Sequence, residues 1–342
     1  MKHGPFERAG RDIGLPLLTI AIPTYNRSRY LARLLDSLIP QLQQEIRVEV
    51  IISDNASPDN TSAVLEEYAR QGLRFLSLRN DTNLGPDGNI LNCFLRASGR
   101  YLWIVGDDDV LLPGSVESVL KLLYENDFDI VYVRSRDIAA GTEGYLPVRA
   151  SELDVEVIRD AHTFVRRTNV FLTFITANIV NRERVLSLPH EPFSQLLGTN
   201  LVQLGWMYTL VRHFRQGAYV ATHLVAAGAD DRGGYRLFEV FGTNLKRITE
   251  EWLVRPELVR VVLNGTVQRF FPSFVLRSRL REGAFLKEAP HALLRELFSH
   301  NYRYYLFLSP LLTLPAVPAR AWLFLCRVVN RVDKALGNPM LG

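Results

Sequence analysis

Three consecutive carboxylates, Asp107, Asp108 and Asp109, directly follow the apolar and aromatic segment 101–106. This segment has the composition of a buried strand, and Pro113 begins the next helix, where its missing N–H group costs nothing. Like charges held together at the rim of a sheet repel one another unless a cation or hydrogen-bond donors compensate them. Carboxylate oxygens at such a position suit Mg²⁺ or Mn²⁺. For the acidic triplet alone, the alternative is a solvated turn whose acids cap the following helix.

The elements that must position these acids alternate between strand and helix. Apolar runs predict strands at 17–22, 48–53, 73–78, 101–106 and 129–133, with helices between them where apolar residues recur at helical spacing. The segment 170–182 predicts a further strand. Alternating elements joined by short loops favour a mostly parallel sheet, in which ligands bind beyond the carboxyl ends of the strands.

Polar residues follow the ends of the first four predicted strands. The four clusters are Pro23, Thr24, Tyr25 and Asn26; Asp54 and Asn55; Gly85, Pro86, Asp87 and Asn89; and the acidic triplet. Turn formation explains Asn, Asp, Gly and Pro in loops, but it does not explain bare carboxylates at the end of the most hydrophobic strand. The clusters therefore predict one cleft at a single edge of the sheet.

The motifs that carry these residues occur in a fixed order along the chain. They read LTIAIPTYNR, EVIISDNAS, NLGPDGN and YLWIVGDDDVLLPG. As an ordered set they resemble the nucleotide-sugar half of family 2 glycosyltransferases of the GT-A fold, in the abequosyltransferase/rhamnosyltransferase-like branch used in surface-polysaccharide synthesis. The resemblance implies an α/β GT-A domain over 1–235, with a nucleotide-sugar half at about 17–135 and an acceptor half at about 136–235. A helical C-terminal extension would occupy 236–342.

The resemblance also implies a role for each cluster. The nucleotide pocket would be lined by Pro23, Thr24, Tyr25 and Asn26. Asp54, supported by Asn55, would accept hydrogen bonds from the nucleobase or ribose. The wall near the diphosphate would be shaped by Gly85 and Pro86, and the residues within reach of the donor would be Asp87 and Asn89. Asp107 would face the ribose hydroxyls, and Asp108 would hold the Mg²⁺ or Mn²⁺ ion.

The chain departs from the family pattern at two places. The acidic motif of the family commonly reads Asp-x-Asp-Asp, and Gly106 stands here where the first Asp would be. Family members usually carry an acidic residue at the start of the helix under the acceptor, where this chain has Asn200, which cannot act as a base. Asp109 and Asp231 are the candidate bases in its place.

The leading hypothesis is a metal-dependent glycosyltransferase that moves a sugar from a nucleotide diphosphate donor to a glycan or lipid-linked acceptor. A catalytically inactive sugar-nucleotide-binding protein is the first alternative, since no base is obvious. A nucleotidyltransferase is the second, but it should carry a Gly-rich, basic phosphate loop after the first strand, and the residues found there are Pro-Thr-Tyr-Asn.

The composition is that of an ordinary globular protein. The 342 residues are 47% hydrophobic and 22% charged, with a net charge of +4, which is too small to indicate a nucleic-acid partner. Cys93 and Cys326 are expected to be free thiols in a reducing compartment. Residues 1–15 lack the apolar segment of a signal peptide. We therefore expect a cytoplasmic protein, and the lipid-linked acceptors of the resembled enzymes place it at the inner face of the cytoplasmic membrane.

The C-terminal part is apolar, aromatic and basic. Stretches at 302–317 and 321–329 are interrupted by prolines and flanked by arginines, and neither reaches the roughly 20 apolar residues of a spanning helix. Tyr and Trp suit a membrane interface and Arg favours anionic lipid. These residues allow peripheral membrane contact through 302–330, and the resemblance favours it because the acceptors of the resembled enzymes are usually lipid-linked. The alternative is a helical extension that packs on the catalytic domain or at a dimer contact.

Overall fold

A single mixed sheet organises the chain. The computed structural model describes residues 16–42, 47–137, 148–228, 235–280 and 288–341. The strands of the described part are β1 (Leu18–Thr24), β2 (Val48–Asp54), β3 (Leu76–Arg79), β4 (Tyr101–Ile104), β5 (Val110–Leu111), β6 (Ile130–Asp137), β7 (Val155–Ile158), β8 (Asn178–Asn181) and β9 (Gly217–Ala227). They form a sheet of nine strands within these residues, in the order β3-β2-β1-β4-β8-β6-β9-β5, with β7 paired to β9.

Most strands of this sheet run in one direction. Strands β1, β2, β3 and β4 pair in parallel, and β6 pairs in parallel with β9. The antiparallel strand β8 lies between β4 and β6, so β6 and β9 run in the same direction as β4. Strands β5 and β7 are antiparallel to β9. The predicted α/β fold with a mostly parallel sheet is therefore confirmed.

The register of the parallel strands aligns their carboxyl ends. Thr24 is paired with Asp54 across β1 and β2, and Asp54 is paired with Arg79 across β2 and β3. On the other side of β1, Ala21 is paired with Ile104. Thr24 lies three residues beyond Ala21 and Asp107 three beyond Ile104, so the same register brings these two together.

Helices cover both faces of the sheet. They are α1 (Ser28–Leu42), α2 (Thr61–Arg70), α3 (Gly85–Arg96), α4 (Ser115–Glu125), α5 (Ala161–Thr168), α6 (Arg182–Ser187), α7 (Leu204–Arg212), α8 (Leu245–Ile248), α9 (Pro256–Gly265), α10 (Phe271–Arg279), α11 (Pro290–Phe298), α12 (Ser309–Thr313) and α13 (Ala316–Ala335). Four π-helical segments continue these helices, at Glu239–Asn244, Thr249–Leu253, Thr266–Phe270 and Tyr304–Leu308.

Two apolar cores lie on opposite faces of the sheet. On one face, Ile20 and Trp103 pack with the buried side of α1, which presents Leu31, Leu34, Leu35 and Leu38 at helical spacing. On the other face, Phe94 of α3 stacks on Trp206 of α7 with ring centroids 4.6 Å apart. This second core also takes in Trp252 and Val262 from the C-terminal helices. The predicted helical extension is thus present, and it is packed against the sheet domain.

The remainder of the extension has its own core. Residues of α10, α11 and α13 surround buried side chains that include Phe271, Phe298 and Leu323. Among the described residues, no helix combines the length and apolarity that crossing a bilayer requires.

The strand predicted over 170–182 is wrong for most of its length. Only Asn178–Asn181 forms a strand, and the preceding residues form two 3₁₀ turns, Asn169–Thr173 and Ile175–Ala177. Asn169 has a positive φ of 43° and accepts a hydrogen bond on its side chain from the Val170 N–H. This local bond offers the backbone an alternative to the sheet ladder, which an apolar run alone does not reveal.

Candidate active site

The acidic turn after β4 is anchored first through Asp107. The Thr24 hydroxyl donates to Asp107 Oδ2 over 2.7 Å, and Arg27 Nη1 donates to Asp107 Oδ1 over 2.8 Å. Burial raises the pKa of Asp107 to about 6, although Arg27 and Thr24 both act to lower it. The residue predicted to face the ribose thus lies beside the loop predicted to line the nucleotide pocket.

Asp109 lies on the other side of the turn and is enclosed by residues from distant parts of the chain. Its Oδ2 accepts a 2.5 Å hydrogen bond from the Thr176 hydroxyl, and its Oδ1 accepts a 2.9 Å bond from the Gly228 N–H, just after β9. Burial, and next the charge of Asp108, raise the pKa of Asp109 to about 7. Both carboxylate oxygens are therefore engaged with protein donors, and the role of Asp109 as a base stays a prediction.

Asp108 is the accessible member of the three acids. Its side chain is 20% exposed, against 5% for Asp107, and its Oδ2 lies 3.4 Å from Arg27 Nη1. The backbone carbonyl of Asp108 accepts a 2.5 Å hydrogen bond from Arg33 of α1. Two arginines therefore fix this residue while leaving carboxylate oxygen surface open to the cleft.

Two glycines permit the close packing of the acidic turn. A Cβ atom added to Gly106 would lie 3.1 Å from Asp109 Oδ2 and 3.2 Å from Asp108 Oδ1. A Cβ atom added to Gly228 would overlap the Asp108 backbone carbonyl. A side chain at position 106 would therefore require these two carboxylates to shift slightly, whereas one at position 228 would overlap backbone.

Asp54 and Asn55 organise the end of β2. Asp54 accepts hydrogen bonds from the Ser57 N–H, over 2.9 Å, and from the guanidinium of Arg79. Asn55 Nδ2 donates to the Gly85 carbonyl over 3.1 Å, and Asn55 Oδ1 accepts from the Leu84 N–H over 2.9 Å. These bonds tie the SDNAS loop to the start of α3, so the second and third clusters meet as predicted.

The start of α3 divides into exposed and buried positions. Gly85 has a positive φ of 74° and precedes the exposed Pro86. Asn89 is buried, where its Oδ1 accepts a 2.6 Å hydrogen bond from the Ser53 hydroxyl. Asp87 is also buried, and its oxygens accept from the Asn200 and Val202 N–H groups over 2.7 and 3.1 Å. Burial raises the pKa of Asp87 despite these bonds. The predicted donor contacts of all four residues stay predictions.

The end of β1 and the loop that follows it lie beside a cleft at the start of α1. Pro23 is half-buried, whereas Tyr25 and Asn26 are exposed, and Asn26 has a φ of 55° with its N–H donating to the Ser57 hydroxyl over 2.9 Å. An open cleft of about 430 Å³ adjoins this loop at the start of α1. It is lined by Asn26, Arg27, Ser28, Arg29, Tyr30, Arg33 and Asp59.

Several residues of this arrangement were not predicted from the sequence. Arg27, Arg33 and Thr176 contact the acidic turn, and Arg79 pairs with Asp54. The position of Arg27, directly after the Pro-Thr-Tyr-Asn motif, is a signal that could have found it. Thr176 lies 67 residues from Asp109 along the chain, and no local pattern marks it. Asp231, the other candidate base, lies outside the described residues.

The carboxylate of Asp108 could hold a divalent cation only in a site that water and substrate phosphates complete. Among the described residues, no group of three or more His, Cys, Asp or Glu side chains is placed to hold a metal ion. Mg²⁺ and Mn²⁺ sites that use one or two carboxylates are completed by water and substrate phosphates. One accessible carboxylate between two buried acids, whose pKa values are raised, matches that form.

Fold and site together define a class. A mostly parallel mixed sheet flanked by helices, with an acidic turn at its carboxyl edge, is the arrangement of GT-A glycosyltransferases. Residues 19–186 match the family model of glycosyl transferase family 2. Through that segment the chain is similar to this family, as the sequence resemblance predicted.

Two curated relatives illustrate the likeness. The abequosyltransferase RfbV of Salmonella typhimurium is 35% identical over 173 residues, which cover 50% of this chain and 47% of the relative. The GalNAc(5)-diNAcBac-PP-undecaprenol β-1,3-glucosyltransferase of Campylobacter jejuni is 32% identical over 108 residues, covering 31% of this chain and 34% of the relative. The chain thus spans half or less of the length of these relatives.

Solved structures agree with the fold over a longer stretch. The Staphylococcus aureus TarS fragment 1–349 in complex with UDP-GlcNAc superimposes with a TM-score of 0.57 at 17% identity, covering 94% of this chain and 92% of that one. The same fragment in complex with UDP gives a TM-score of 0.56 at 16% identity, with 94% and 91% covered. At this level of identity the likeness establishes the fold.

Proposed function

We propose that the protein is a metal-dependent glycosyltransferase that moves a sugar from a nucleotide diphosphate donor to a glycan or lipid-linked acceptor in surface-polysaccharide synthesis. One observation carries the proposal: the carboxylate of Asp108, the accessible acid of the triplet, lies at the same sheet edge as Thr24 and Asp54, beside an arginine-lined cleft. The relatives, whose names include an abequosyltransferase and a glucosyltransferase, support the same class of reaction.

The residues of the cleft suggest how a donor would be held. Asp54 and the loop after β1 would position the nucleoside, with Asp107 toward the ribose. Arg27 lies between Asp107 and Asp108, so its guanidinium would face the diphosphate and partly neutralise it. A Mg²⁺ or Mn²⁺ ion held by Asp108 would stabilise negative charge on the departing diphosphate. A mannosyltransferase from Pyrobaculum calidifontis was solved in complex with GDP-Man and Mn²⁺. It has the same fold, with a TM-score of 0.51 at 15% identity, and the match covers 94% of this chain and 89% of that one.

The transfer itself exchanges one bond for another. The acceptor hydroxyl oxygen attacks the anomeric carbon of the sugar, the bond from that carbon to the diphosphate oxygen breaks, and the electron pair leaves with the diphosphate. The hydroxyl proton goes to a carboxylate base, a contribution typically of about 10²–10⁴-fold. Asp109 and Asp231 are the proposed candidates, and an assay of both Asn variants separates them.

A donor screen tests the proposal directly. The protein is incubated with UDP-, dTDP-, GDP- and CDP-sugars, each with Mn²⁺ and with EDTA, and release of the nucleoside diphosphate is measured. We expect release with one class of donor and only with the metal. Binding without release would identify an inactive sugar-nucleotide-binding protein, and release of pyrophosphate would identify a nucleotidyltransferase. NMR of the product then gives the anomeric configuration.

We also propose that the protein contacts the inner face of the cytoplasmic membrane through 302–330. The support is an exposed apolar stripe on α13. Its members share one side of the helix and are 36–78% exposed, and they are Val317, Phe324, Leu325, Val328, Val332 and, just past the helix end, Leu336. Arg320, Arg327 and Arg331 border the stripe along one edge, also at helical spacing. An apolar face with a basic edge is complementary to an anionic lipid surface.

Vesicle binding tests the membrane proposal. In the double variant Phe324→Asp/Val328→Asp, we expect co-sedimentation with phosphatidylglycerol vesicles to fall by about tenfold or more, because two apolar side chains no longer enter the lipid and two negative charges approach it. The matched control is Leu95→Asp/Leu186→Asp, two exposed leucines of α3 and α6. Unchanged vesicle binding, or loss of an oligomer in light scattering instead, would make the stripe a protein–protein contact.

A further inference from the structure

Positively charged side chains gather where β6, β9 and the last turn of α13 approach one another. Arg134 is paired with His223 across β6 and β9, and the ladder is irregular on both sides of Arg134. Arg136 follows on the same strand, opposite Ala226. Burial, and then the charges of Arg134, Arg136 and Lys334, lower the pKa of His223. Lys334 of α13 therefore belongs to the same group of charges.

Two further arginines and a pair of stacked tyrosines lie next to this cluster. Tyr132 and Tyr219 stack with ring centroids 5.3 Å apart, and the Arg167 guanidinium lies 4.4 Å from the centre of the Tyr219 ring. Arg269 lies close enough for its charge to act on both Tyr219 and Lys334. Burial and the repulsion of Arg134, Arg167 and Arg269 lower the pKa of Lys334.

Among the described residues, the carboxylates that form ion pairs with this cluster are fewer than its positive charges. Glu156 pairs with Arg167 over 3.0 Å, and the buried Asp333 pairs with Arg269 over 2.6 Å. Within the described part of the chain, Arg134 and Lys334 have no ion pair with a carboxylate, and Arg134 makes one long hydrogen bond, of 3.4 Å, to the Ala221 carbonyl. The excess of positive charge is therefore concentrated on the side toward β6 and β9.

A buried donor in the cluster also lacks an acceptor. The Nε–H group of Arg269 is buried without a hydrogen-bond partner among the described residues, although its Nη2 donates to both Asp333 and Asn338. Uncompensated cations and an unused donor in a half-desolvated site are costly unless an anion satisfies them. Nothing in the sugar-transfer chemistry proposed above uses these residues.

We propose that Arg134, His223 and Lys334, with Arg136 beside them, form a binding site for a phosphate group. The inference rests on the proposed function for its interpretation, because β9 lies in the predicted acceptor half and leads to Gly228, which contacts the acidic turn. His223 and Gly228 lie five positions apart in extended chain, a span of about 17 Å. A phosphate of the acceptor bound here would hold its sugar end toward the transfer site.

Two sources could supply such a phosphate: a diphosphate or phosphodiester within the acceptor, or the headgroup of a membrane phospholipid. Both carry a phosphate group with one or two negative charges. Arginine binds such a group through paired N–H donors, and lysine binds it as a point charge. The position of Lys334 at the end of α13 makes both sources accessible if the stripe on that helix meets lipid.

The test follows His223 by NMR in protein labelled at the histidine rings. Inorganic pyrophosphate is titrated in EDTA, and phosphatidylglycerol vesicles are added in a parallel series. We expect pyrophosphate to move the His223 signal and to raise its pKa, since a bound anion favours the imidazolium form. In Lys334→Glu, the dissociation constant should rise by about tenfold or more. The matched control in the pyrophosphate series is Arg331→Glu, which makes the same charge change one turn earlier on α13; it is not used with vesicles, because Arg331 borders the apolar stripe.

The results of the two titrations distinguish the kinds of ligand that the site could bind. A response to pyrophosphate that Lys334→Glu loses and Arg331→Glu keeps supports a diphosphate or phosphodiester ligand. A response to vesicles alone, again lost in Lys334→Glu, assigns the site to a phospholipid headgroup. No response of His223 to either probe overturns the site. Donor hydrolysis without acceptor should be the same in Lys334→Glu as in wild type, so the proposed sugar transfer stands or falls separately.

Discussion

Replacing Asp108 by Asn should lower metal-stimulated donor hydrolysis by at least about 10²–10³-fold, the loss expected when a group that stabilises the charge of a leaving group is removed. Asp108 is the accessible acid of the triplet, whereas Asp107 and Asp109 are enclosed by Thr24, Arg27 and Thr176. The amide keeps the size of the side chain but removes its charge. The rate is measured with the donor found in the screen, over a range of Mn²⁺ concentrations.

The matched control for this variant is Asp81→Asn, which removes a carboxylate from an exposed loop position. We expect it to retain the wild-type rate. The melting temperature of Asp108→Asn should stay at or above that of wild type, because the change relieves repulsion between neighbouring acids. Wild-type turnover in a folded Asp108→Asn protein would remove this residue from the site and with it the metal-dependent mechanism.

The second large effect concerns stability and pH. The pKa of Asp109 is raised to about 7 and that of Asp107 to about 6, both above the usual value near 3.9, chiefly by burial. At pH values between about 3.9 and about 7, the folded state therefore binds more protons than the unfolded state. The free energy of unfolding must then fall as pH rises through this range. We expect a fall of about 2–4 kcal/mol from Asp109 between pH 5 and pH 8 in EDTA, measured by urea unfolding.

Replacing Asp109 by Asn should remove most of this dependence on pH. The Asn Oδ1 can still accept from the Gly228 N–H, and its Nδ2 can donate to the Thr176 hydroxyl oxygen, so the local structure is kept. At pH 8 the variant should be more stable than wild type, and at pH 5 the two should be similar. Asp81→Asn serves again as the control with an unchanged pH profile. A wild-type slope in Asp109→Asn would show that this carboxyl titrates normally.

The sheet and the position of its functional edge were predictable from the sequence, because both depend on local patterns. Apolar runs marked β1, β2 and β4, and the polar residues that follow them meet at one edge since parallel strands are in register. Asp54 and Asp107 were located in this way. The helical extension was recognised from the same kind of periodicity.

Contacts between distant segments were not predictable in this way. Thr176 reaches Asp109 only because two 3₁₀ turns replace a predicted strand, and Gly228 reaches it only through the pairing of β9 with β5. Arg27 and Arg79 resemble ordinary surface arginines in the sequence, and their partners are set by strand register. The burial that raises the pKa of Asp109 likewise depends on these long-range contacts.

Strands from the two sequence halves alternate within the sheet, so the protein cannot be divided between them without breaking strand pairs. Strand β8 comes from beyond residue 170 but lies between β4 and β6, so it supplies hydrogen bonds to both. A fragment cut at residue 135 would leave the inner edge of β4 open and the buried carboxyl of Asp87 without its partners Asn200 and Val202. The sheet and the surroundings of Asp87 are therefore built from both sequence halves, and we expect neither half to fold without the other.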